Sequence, residues 1–207
     1  MSNPAFWCAA QPLLLASGSV TRRKLLENAG IPVEILKAPV DEGAIAASLL
    51  ETRTPPRDIA IALAHAKAEA AAHKVPDRLL LAADQTLDHN GTLMMKPVDM
   101  AHARAQLSRL RGTTHRLHSA AVLRLGNQVI WAGIASATLV MREFSDVFLE
   151  SYIAQTGAVL CDTVGGYQLE GLGVHLFDVI EGDHTTILGL PLIPVLHALR
   201  DAGSLQA

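Results

Sequence analysis

Short apolar runs alternate with helix-spaced patterns along the first half of the chain, as is typical of α/β proteins. The apolar runs predict three strands, at residues 12–16, 33–36 and 79–83. Helical spacing predicts two helices, over residues 21–29 and 57–74. The third strand is apolar throughout, so we expect it to be covered on both faces and to end at Asp84. Residues 41–43 are predicted to form a loop.

Turn signals organise the second half of the chain. Asn90 and Gly91 are typical of a type I′ hairpin turn, and Gly126 with Asn127 joins two long strands. The remaining predicted strands are residues 113–125, 128–141 and 174–180. The remaining predicted helices are residues 99–110, capped by Asp99, residues 145–155, capped by Ser145, and residues 191–202. We therefore expect an α/β fold with an elongated mixed β-sheet flanked by helices, as one domain over residues 1–207.

Composition narrows the class of protein. Of 207 residues, 50% are hydrophobic, 4% aromatic and 18% charged, which excludes a disordered chain and predicts an aliphatic core. The net charge of −3 argues against a nucleic-acid-binding module, because such domains are usually basic. Cys8 and Cys161 lie too far apart in sequence to build a disulfide framework, and a reducing compartment is expected.

Two nearly uncharged segments resemble targeting or membrane sequences at first sight. Residues 1–21 carry no charged side chain, but they have no basic leading region and are interrupted by Pro4 and Pro12. Residues 184–199 are interrupted by Gly189 and two prolines and are too short to span a bilayer. We therefore expect a soluble, cytoplasmic protein without a membrane partner.

The segment from Ser17 to Lys24 is the first candidate site. It joins a predicted strand to a helix, where unpaired backbone N–H groups and small residues favour an anion. Arg22 and Arg23 add forked donors suited to phosphate oxygens. The spacing matches neither a Walker A loop nor a dinucleotide-binding loop. The segment is also compatible with a serine-capped helix whose basic first turn is solvated.

Asp84 is the second candidate, because it follows a buried strand at the edge where α/β sheets bind ligands. Its carboxylate could hold a metal or act as a base, or simply cap a turn. Asp41 and Glu42 follow another short strand, and carboxylates near phosphates usually imply Mg²⁺ or Mn²⁺. Lys67 and Lys96 are further cations, although each alone is typical of a surface lysine.

The nine histidines do not form a recognisable zinc motif. His115 and His118 are three residues apart on a predicted strand, which places them on opposite faces. His65 and His73 are eight residues apart on a helix, too far to share one ion. The sequence also contains no serine nucleophile elbow and no signature of a catalytic cysteine.

Eight segments, in order, resemble the motifs of the Maf family of nucleoside triphosphate pyrophosphatases. They are LLASGSVTRR at 14–23, VDE at 40–42, LAHAKA at 63–68, AADQ at 82–85, KPVD at 96–99, GTTH at 112–115, GYQLEG at 166–171 and LGLPL at 188–192. The similarity covers about residues 13–203. Each motif alone is weakly specific, whereas their shared order is strongly specific.

The resemblance implies a Maf/ITPase-like fold with two lobes around a cleft, commonly dimeric. It implies hydrolysis of a nucleoside triphosphate between the α- and β-phosphates. Asp84 would accept a proton from water, and Glu42 with Asp84 would bind a divalent cation, Mg²⁺ or Mn²⁺. The residues implied to bind the triphosphate are Ser17, Arg22, Arg23, Lys67 and Lys96. The alternative is a nucleotide-binding regulatory protein of cell division, acting in septum formation without significant turnover.

Three positions sort substrates in this family, and they correspond here to Thr21, Gln85 and Glu170. The branch acting on dTTP and UTP typically has Arg, Thr and Gln there, and the 7-methyl-GTP branch Trp, Gln and Glu. Gln85 and Glu170 match the second branch, but Thr21 lacks the ring that would stack on a methylated purine. Val20 and Met95 also depart from the usual Pro and Gly. The resemblance implies a purine or modified triphosphate.

Overall fold

The computed structural model describes residues 6–75 and 77–207, so the first five residues of the uncharged N-terminal segment lie outside it. Its centre is a seven-stranded mixed sheet in the order β2-β1-β3-β5-β6-β7, with β4 paired to β3. The strands are β1 (Leu13–Ala16), β2 (Val33–Ile35), β3 (Leu79–His89), β4 (Thr92–Met94), β5 (Thr114–Leu125), β6 (Gln128–Met141) and β7 (Phe177–Glu181). Strand β1 is parallel to β2 and β3, and the other pairings are antiparallel. The predicted α/β class with a mixed sheet is confirmed.

Helices cover both faces of this sheet. They are α1 (Val20–Asn28), α2 (Glu42–Glu51), α3 (Pro56–Ala72), α4 (Met100–Leu110), α5 (Asp146–Thr156), α6 (His184–Ile187) and α7 (Leu192–Asp201). On one face, buried alanines of α3 pack against small and aliphatic residues of β1, β3 and β5. On the other face, α1 and α7 pack against the same strands. A third cluster, formed largely by α4, α5 and the far ends of β3, β5 and β6, covers the rest of the sheet.

Strand β3 is paired unequally along its two edges. Strand β5 pairs with it continuously from Leu79 to Asp88. On the other edge, β1 pairs up to Ala82, and β4 begins only at Leu87. Within the described chain, residues 83–86 therefore face no strand on that side. The prediction that this strand ends at Asp84 is wrong, because pairing with β5 continues to Asp88 and pairing with β4 includes His89.

Three further features differ from the prediction: two element boundaries and one additional short helix. The predicted loop at 41–43 is the start of α2, because the Asp41 side chain accepts a 2.9 Å hydrogen bond from Ala44 N and caps a helix. Strand β7 begins at Phe177 rather than at 174, since the preceding residues Leu172–Leu176 form a 3₁₀ helix. The short helix α6, before the closing helix, was not predicted.

Other local predictions are confirmed. Asn90 and Gly91 both have positive φ, 54° and 79°, as a type I′ turn requires. Asp99 and Ser145 cap α4 and α5 as predicted. Both cysteines are free thiols.

Within residues 6–75 and 77–207, no helix has the length and apolar character needed to cross a membrane.

Candidate active site

Asp84 lies in the gap along the edge of β3 and is 7% exposed. Its Oδ1 accepts a 2.8 Å hydrogen bond from the backbone N–H of Gln85 and lies 3.3 Å from Nζ of Lys67. Its Oδ2 is buried and has no hydrogen-bond partner in the described part of the chain. Since burying an unpaired carboxylate oxygen is costly, this atom is suited to receive a proton or a ligand.

Lys67 joins Asp84 to Glu42. Its ammonium lies 2.8 Å from Oε1 of Glu42 and 3.3 Å from Oδ1 of Asp84. The alanines of α3 let this helix approach the sheet closely enough to bury Lys67, which is only 8% exposed. Glu42, in the first turn of α2, remains half-exposed. The structure thus brings together both predicted carboxylates and one predicted lysine.

Arg22, in the first turn of α1, is held by three neighbours. Its Nη1 donates to Ser17 Oγ and to the carbonyl of Ala83, both at 2.9 Å, and its Nε donates to the carbonyl of Gly189 at 2.7 Å. Burial lowers the pKa of the guanidinium from its ordinary value, and the carboxylates of Asp84 and Glu42 oppose that shift. The side chain is therefore fixed directly beside Asp84, in the place that a neighbouring strand would otherwise fill.

The Ser17–Lys24 segment begins with a serine-capped helix, and phosphate binding by its arginines stays a prediction. Ser19 caps α1, since its Oγ accepts a 3.2 Å hydrogen bond from Arg22 N. Arg23 is exposed and lies 3.7 Å from Glu27, as expected for a solvated basic turn. Ser17 and Arg22, in contrast, are buried and belong to the cluster around Asp84.

A small pocket of about 150 Å³ opens beside this cluster. Its lining residues are Ala16, Ser17, Gly18, Lys37, Ala38, Glu42 and Lys67. Lys37 is a further cation, outside the motifs that predict the site, and a Cβ built on Gly18 would lie 3.5 Å from its Cε. The missed signal is that β1 and β2 are parallel, so the residues after both strands meet at one edge of the sheet.

Other candidate residues lie apart from the cluster. Arg23, Lys96 and Glu170 are exposed, and none has a hydrogen bond or ion pair to the cluster within residues 6–75 and 77–207. Thr21 is half-buried in α1.

Gln85 faces α6 instead of the pocket. Its Nε2 donates to Ser119 Oγ, Thr186 O and Ile187 O, at 3.0, 3.1 and 2.9 Å.

Two buried histidines, His115 and His118, lie on opposite faces of β5, as predicted. His115 Nε2 and the hydroxyl of Tyr167 share a 2.7 Å hydrogen bond, and burial lowers the pKa of His115 to about 4. His118 Nδ1 shares a 2.7 Å hydrogen bond with Ser136 Oγ, and burial lowers its pKa against the opposing effect of Asp88. His115 thus belongs to the packed core rather than to the site.

The carboxylates suit a cation that arrives with a phosphate ligand. Within the described residues, no three His, Cys, Asp or Glu side chains group together as a metal site. Mg²⁺ is usually held by one or two carboxylates, with substrate phosphates and waters completing the shell. Glu42 and Asp84, which share Lys67, and the unpaired Oδ2 of Asp84 fit such a site.

Fold and site together define an α/β protein whose small pocket, lined by Lys37 and Lys67, lies beside the buried carboxylate of Asp84. The sequence model of one family, described as Maf-like protein, matches residues 12–202. The chain therefore belongs to the Maf family, as its motifs predicted.

Curated relatives cover nearly the whole chain. A protein of Rhodopseudomonas palustris named nucleoside triphosphate pyrophosphatase is 48% identical, over 94% of this chain and 95% of its own. A Caulobacter vibrioides protein of the same name is 49% identical, over 94% and 97%. A Rhizobium johnstonii protein named 7-methyl-GTP pyrophosphatase is 42% identical, over 94% and 98%.

Likeness to a solved structure is more distant. A HAM1 protein from Coxiella burnetii is 15% identical with a TM-score of 0.42, over 63% of this chain and 72% of that one. This likeness is too weak to carry an argument.

Proposed function

We propose that this protein is a nucleoside triphosphate pyrophosphatase, a hydrolase of acid anhydrides that releases a nucleoside monophosphate and pyrophosphate. The observation that carries the proposal is the buried Asp84 carboxylate, with one unpaired oxygen, held among Lys67 and Arg22. The names of the relatives from Rhodopseudomonas, Caulobacter and Rhizobium support the same activity. They give no support to a regulatory protein without turnover.

The cations around the pocket would bind the triphosphate. Arg22 already uses Nε and Nη1 on protein oxygens, so its Nη2 edge is suited to a phosphate oxygen without a change of rotamer. Lys37 and Lys67 line the pocket beside Ser17 and Gly18. We propose that Arg23 and Lys96 reach the outer phosphates from the surface. A fixed guanidinium orients the phosphates at little entropic cost when the substrate binds.

Asp84 would act as the general base. Its Oδ2 takes one proton from a water, whose oxygen attacks the α-phosphorus, and the bridging oxygen leaves with pyrophosphate. Lys67, at 3.3 Å from Oδ1, favours the ionised carboxylate that this step requires. Arg22 and Lys67 then balance the charge that develops on the phosphoryl oxygens.

Glu42 and Asp84 would hold a divalent cation, Mg²⁺ or Mn²⁺, together with the phosphates. Such an ion supplies charge neutralisation and polarises the phosphoryl group. Lys67, which contacts both carboxylates, keeps them close together and limits their mutual repulsion.

For the base we propose a purine or a modified purine, with Thr21, Gln85 and Glu170 as the residues that sort substrates. The exposed carboxylate of Glu170 is suited to accept hydrogen bonds from guanine N1–H and its exocyclic amine. A role in removing non-standard nucleotides such as 7-methyl-GTP follows from this preference. Cleavage of dTTP and UTP alone would contradict it.

We further propose that residues 1–207 form a single Maf-like domain that acts in the cytoplasm as a homodimer, on free nucleotides rather than on nucleic acid. The continuous sheet from β2 to β7 supports one domain. Light scattering on the purified protein tests the dimer, and a monomer at micromolar concentration would contradict it.

Pyrophosphate release across a panel of common and methylated triphosphates, with Mg²⁺ and with Mn²⁺, tests the activity. The matched variant is Asp84→Asn, which keeps the shape and removes the base. We expect its turnover to fall roughly 10²–10⁴-fold. Near-full activity of Asp84→Asn would contradict the assignment of the base, and no pyrophosphate from any triphosphate would contradict the function.

A further inference from the structure

The 186–189 turn, which is the end of α6 and the residues that follow it, is attached to the sheet by Gln85. The Nε2 of Gln85 donates to the carbonyls of Thr186 and Ile187, at 3.1 and 2.9 Å. Ser119 on β5 donates from Oγ to the same Thr186 carbonyl at 2.7 Å. Two neighbouring strands therefore hold one turn through polar side chains, and Ser119 and Thr186 are almost fully buried.

The partners of Gln85 fix the orientation of its amide. Carbonyl oxygens only accept hydrogen bonds, so the atom facing Thr186 and Ile187 must be the amide nitrogen. In the part of the chain that the structure describes, every side-chain hydrogen bond of Gln85 involves Nε2. The donors of this residue are thus engaged within the protein rather than turned toward a nucleotide base.

The same turn holds Arg22. Gly189 N donates to the Thr186 carbonyl at 3.1 Å, and Gly189 O accepts from Arg22 Nε at 2.7 Å. On the other side of the guanidinium, Nη1 is bound by the carbonyl of Ala83 on β3. Residues 83 and 85 of one strand therefore both hold Arg22, the first directly and the second through the turn.

We propose that Gln85 is a positioning residue for Arg22, acting through the 186–189 turn. The inference rests on the proposed function, because Arg22 matters there as a phosphate-binding group. Gln85 thereby helps the strand that carries Asp84 to fix the orientation of the guanidinium. Asp84 lies between residues 83 and 85, which both hold Arg22. The same strand would then position both the general base and the guanidinium that binds the phosphates.

A double-mutant cycle tests this coupling. Gln85→Met keeps the length of the side chain and removes its donors, and Arg22→Lys keeps the charge and removes the fork. We expect Gln85→Met alone to lower kcat/KM by roughly three- to tenfold, the cost of lost hydrogen bonds. In the Arg22→Lys background the same change should cost less than about twofold, because the effect passes through Arg22.

Ser119→Ala is the second variant, because it removes a single hydrogen bond to the same turn. Its effect should show the same coupling to Arg22. Thr86→Val is the matched control, since Thr86 is a buried neighbour on β3 whose hydroxyl donates to Pro56 O, remote from the turn. It should lower the melting temperature without coupling to Arg22. Equal losses for Gln85→Met in both backgrounds would overturn the proposal.

Hydrogen exchange at Arg22 Nε–H, followed by NMR on the nucleotide-free protein, gives a readout that needs no turnover. Gln85→Met should speed this exchange by roughly three- to tenfold, and Thr86→Val should not. Unchanged exchange in Gln85→Met would overturn the positioning role. Faster exchange in a protein that hydrolyses no triphosphate would support that role while contradicting the proposed function.

Discussion

Arg22 and Gly189 are 167 residues apart in the chain, yet a 2.7 Å hydrogen bond joins the guanidinium of one to the carbonyl of the other. The bond brings the segment after the last strand onto the first helix. The site around Asp84 is consequently complete only when the N-terminal and C-terminal parts of the sheet are both assembled.

Gly189→Ala should weaken activity and stability together. Gly189 has a φ of +99°, and a Cβ there would lie 3.3 Å from Nε of Arg22. A methyl group would both strain the backbone and displace the guanidinium. We expect a loss of stability of about 2 kcal/mol, with a clear drop in kcat/KM. Chemical denaturation and pyrophosphate release measure the two effects.

Gly203→Ala is the control for Gly189→Ala. Gly203 also has a positive φ, +66°, but a Cβ there meets nothing within 4 Å. It should therefore cost about 1–2 kcal/mol of backbone strain and leave kcat/KM unchanged. Equal kinetic losses in both variants would show that contact with Arg22 is not the cause.

Lys67→Met should destabilise the protein and abolish most of its activity. The change leaves the Asp84 carboxylate buried without its cation, at a cost of about 2–4 kcal/mol, less than for a fully buried pair because Glu42 is half-exposed. Lys74→Met, at an exposed position, is the control and should change stability by less than about 0.5 kcal/mol. Equal unfolding free energies for the two variants would contradict the prediction.

Lys37→Met should weaken substrate binding with little effect on the chemical step. Lys37 lines the pocket beside Gly18 but lies on the loop after β2, away from Asp84 on β3. We expect KM to rise roughly three- to tenfold with kcat nearly constant, and KM to become less sensitive to salt. Steady-state kinetics at two ionic strengths test this, again with Lys74→Met as the control. A fall in kcat at unchanged KM would refute it.

His115 should make the protein less stable in mild acid. Its pKa is about 4 in the folded state, below the ordinary 6.5, so the unfolded chain binds the extra proton between these pH values. The free energy of unfolding should therefore fall as the pH drops from about 6.5 to 4, by up to about 3 kcal/mol from this group.

His115→Gln can still hydrogen-bond Tyr167 and does not titrate, so its loss of stability between pH 7 and 5 should be smaller than that of the wild type. The exposed His73→Gln should follow the wild type. Denaturant unfolding at each pH makes the comparison. A His115→Gln curve as steep as the wild-type curve would refute the assignment.

The sequence predicts those elements whose causes are local. The Asn90 and Gly91 turn, the Asp99 cap and the long strand pair β5 and β6 depend on residues within a few positions of each other. That five distant residues share one site could be predicted only from the resemblance to the family motifs. These residues are Ser17, Arg22, Glu42, Lys67 and Asp84.

Features that depend on distant partners could not be predicted. The polar residues after Ala83 indicate a turn, whereas pairing with β5 keeps them in a strand. The sequence indicates a loop at Glu42, whereas the Asp41 side chain caps a helix that begins there. The contribution of Gly189 depends on Arg22, and nothing in the local sequence around residue 189 indicates that contact.

Because β3 is paired unequally, its two edges have different structural roles. The edge against β5 is hydrogen-bonded from Leu79 to Asp88 and fixes the height of Asp84 in the sheet. Along the other edge, between β1 and β4, side chains and a turn take the place of a paired strand. Substitutions on that open side therefore remove side-chain contacts of residues 83–86 without removing a strand pairing of β3. The position of the carboxylate and the groups that surround it are therefore set by opposite edges of one strand.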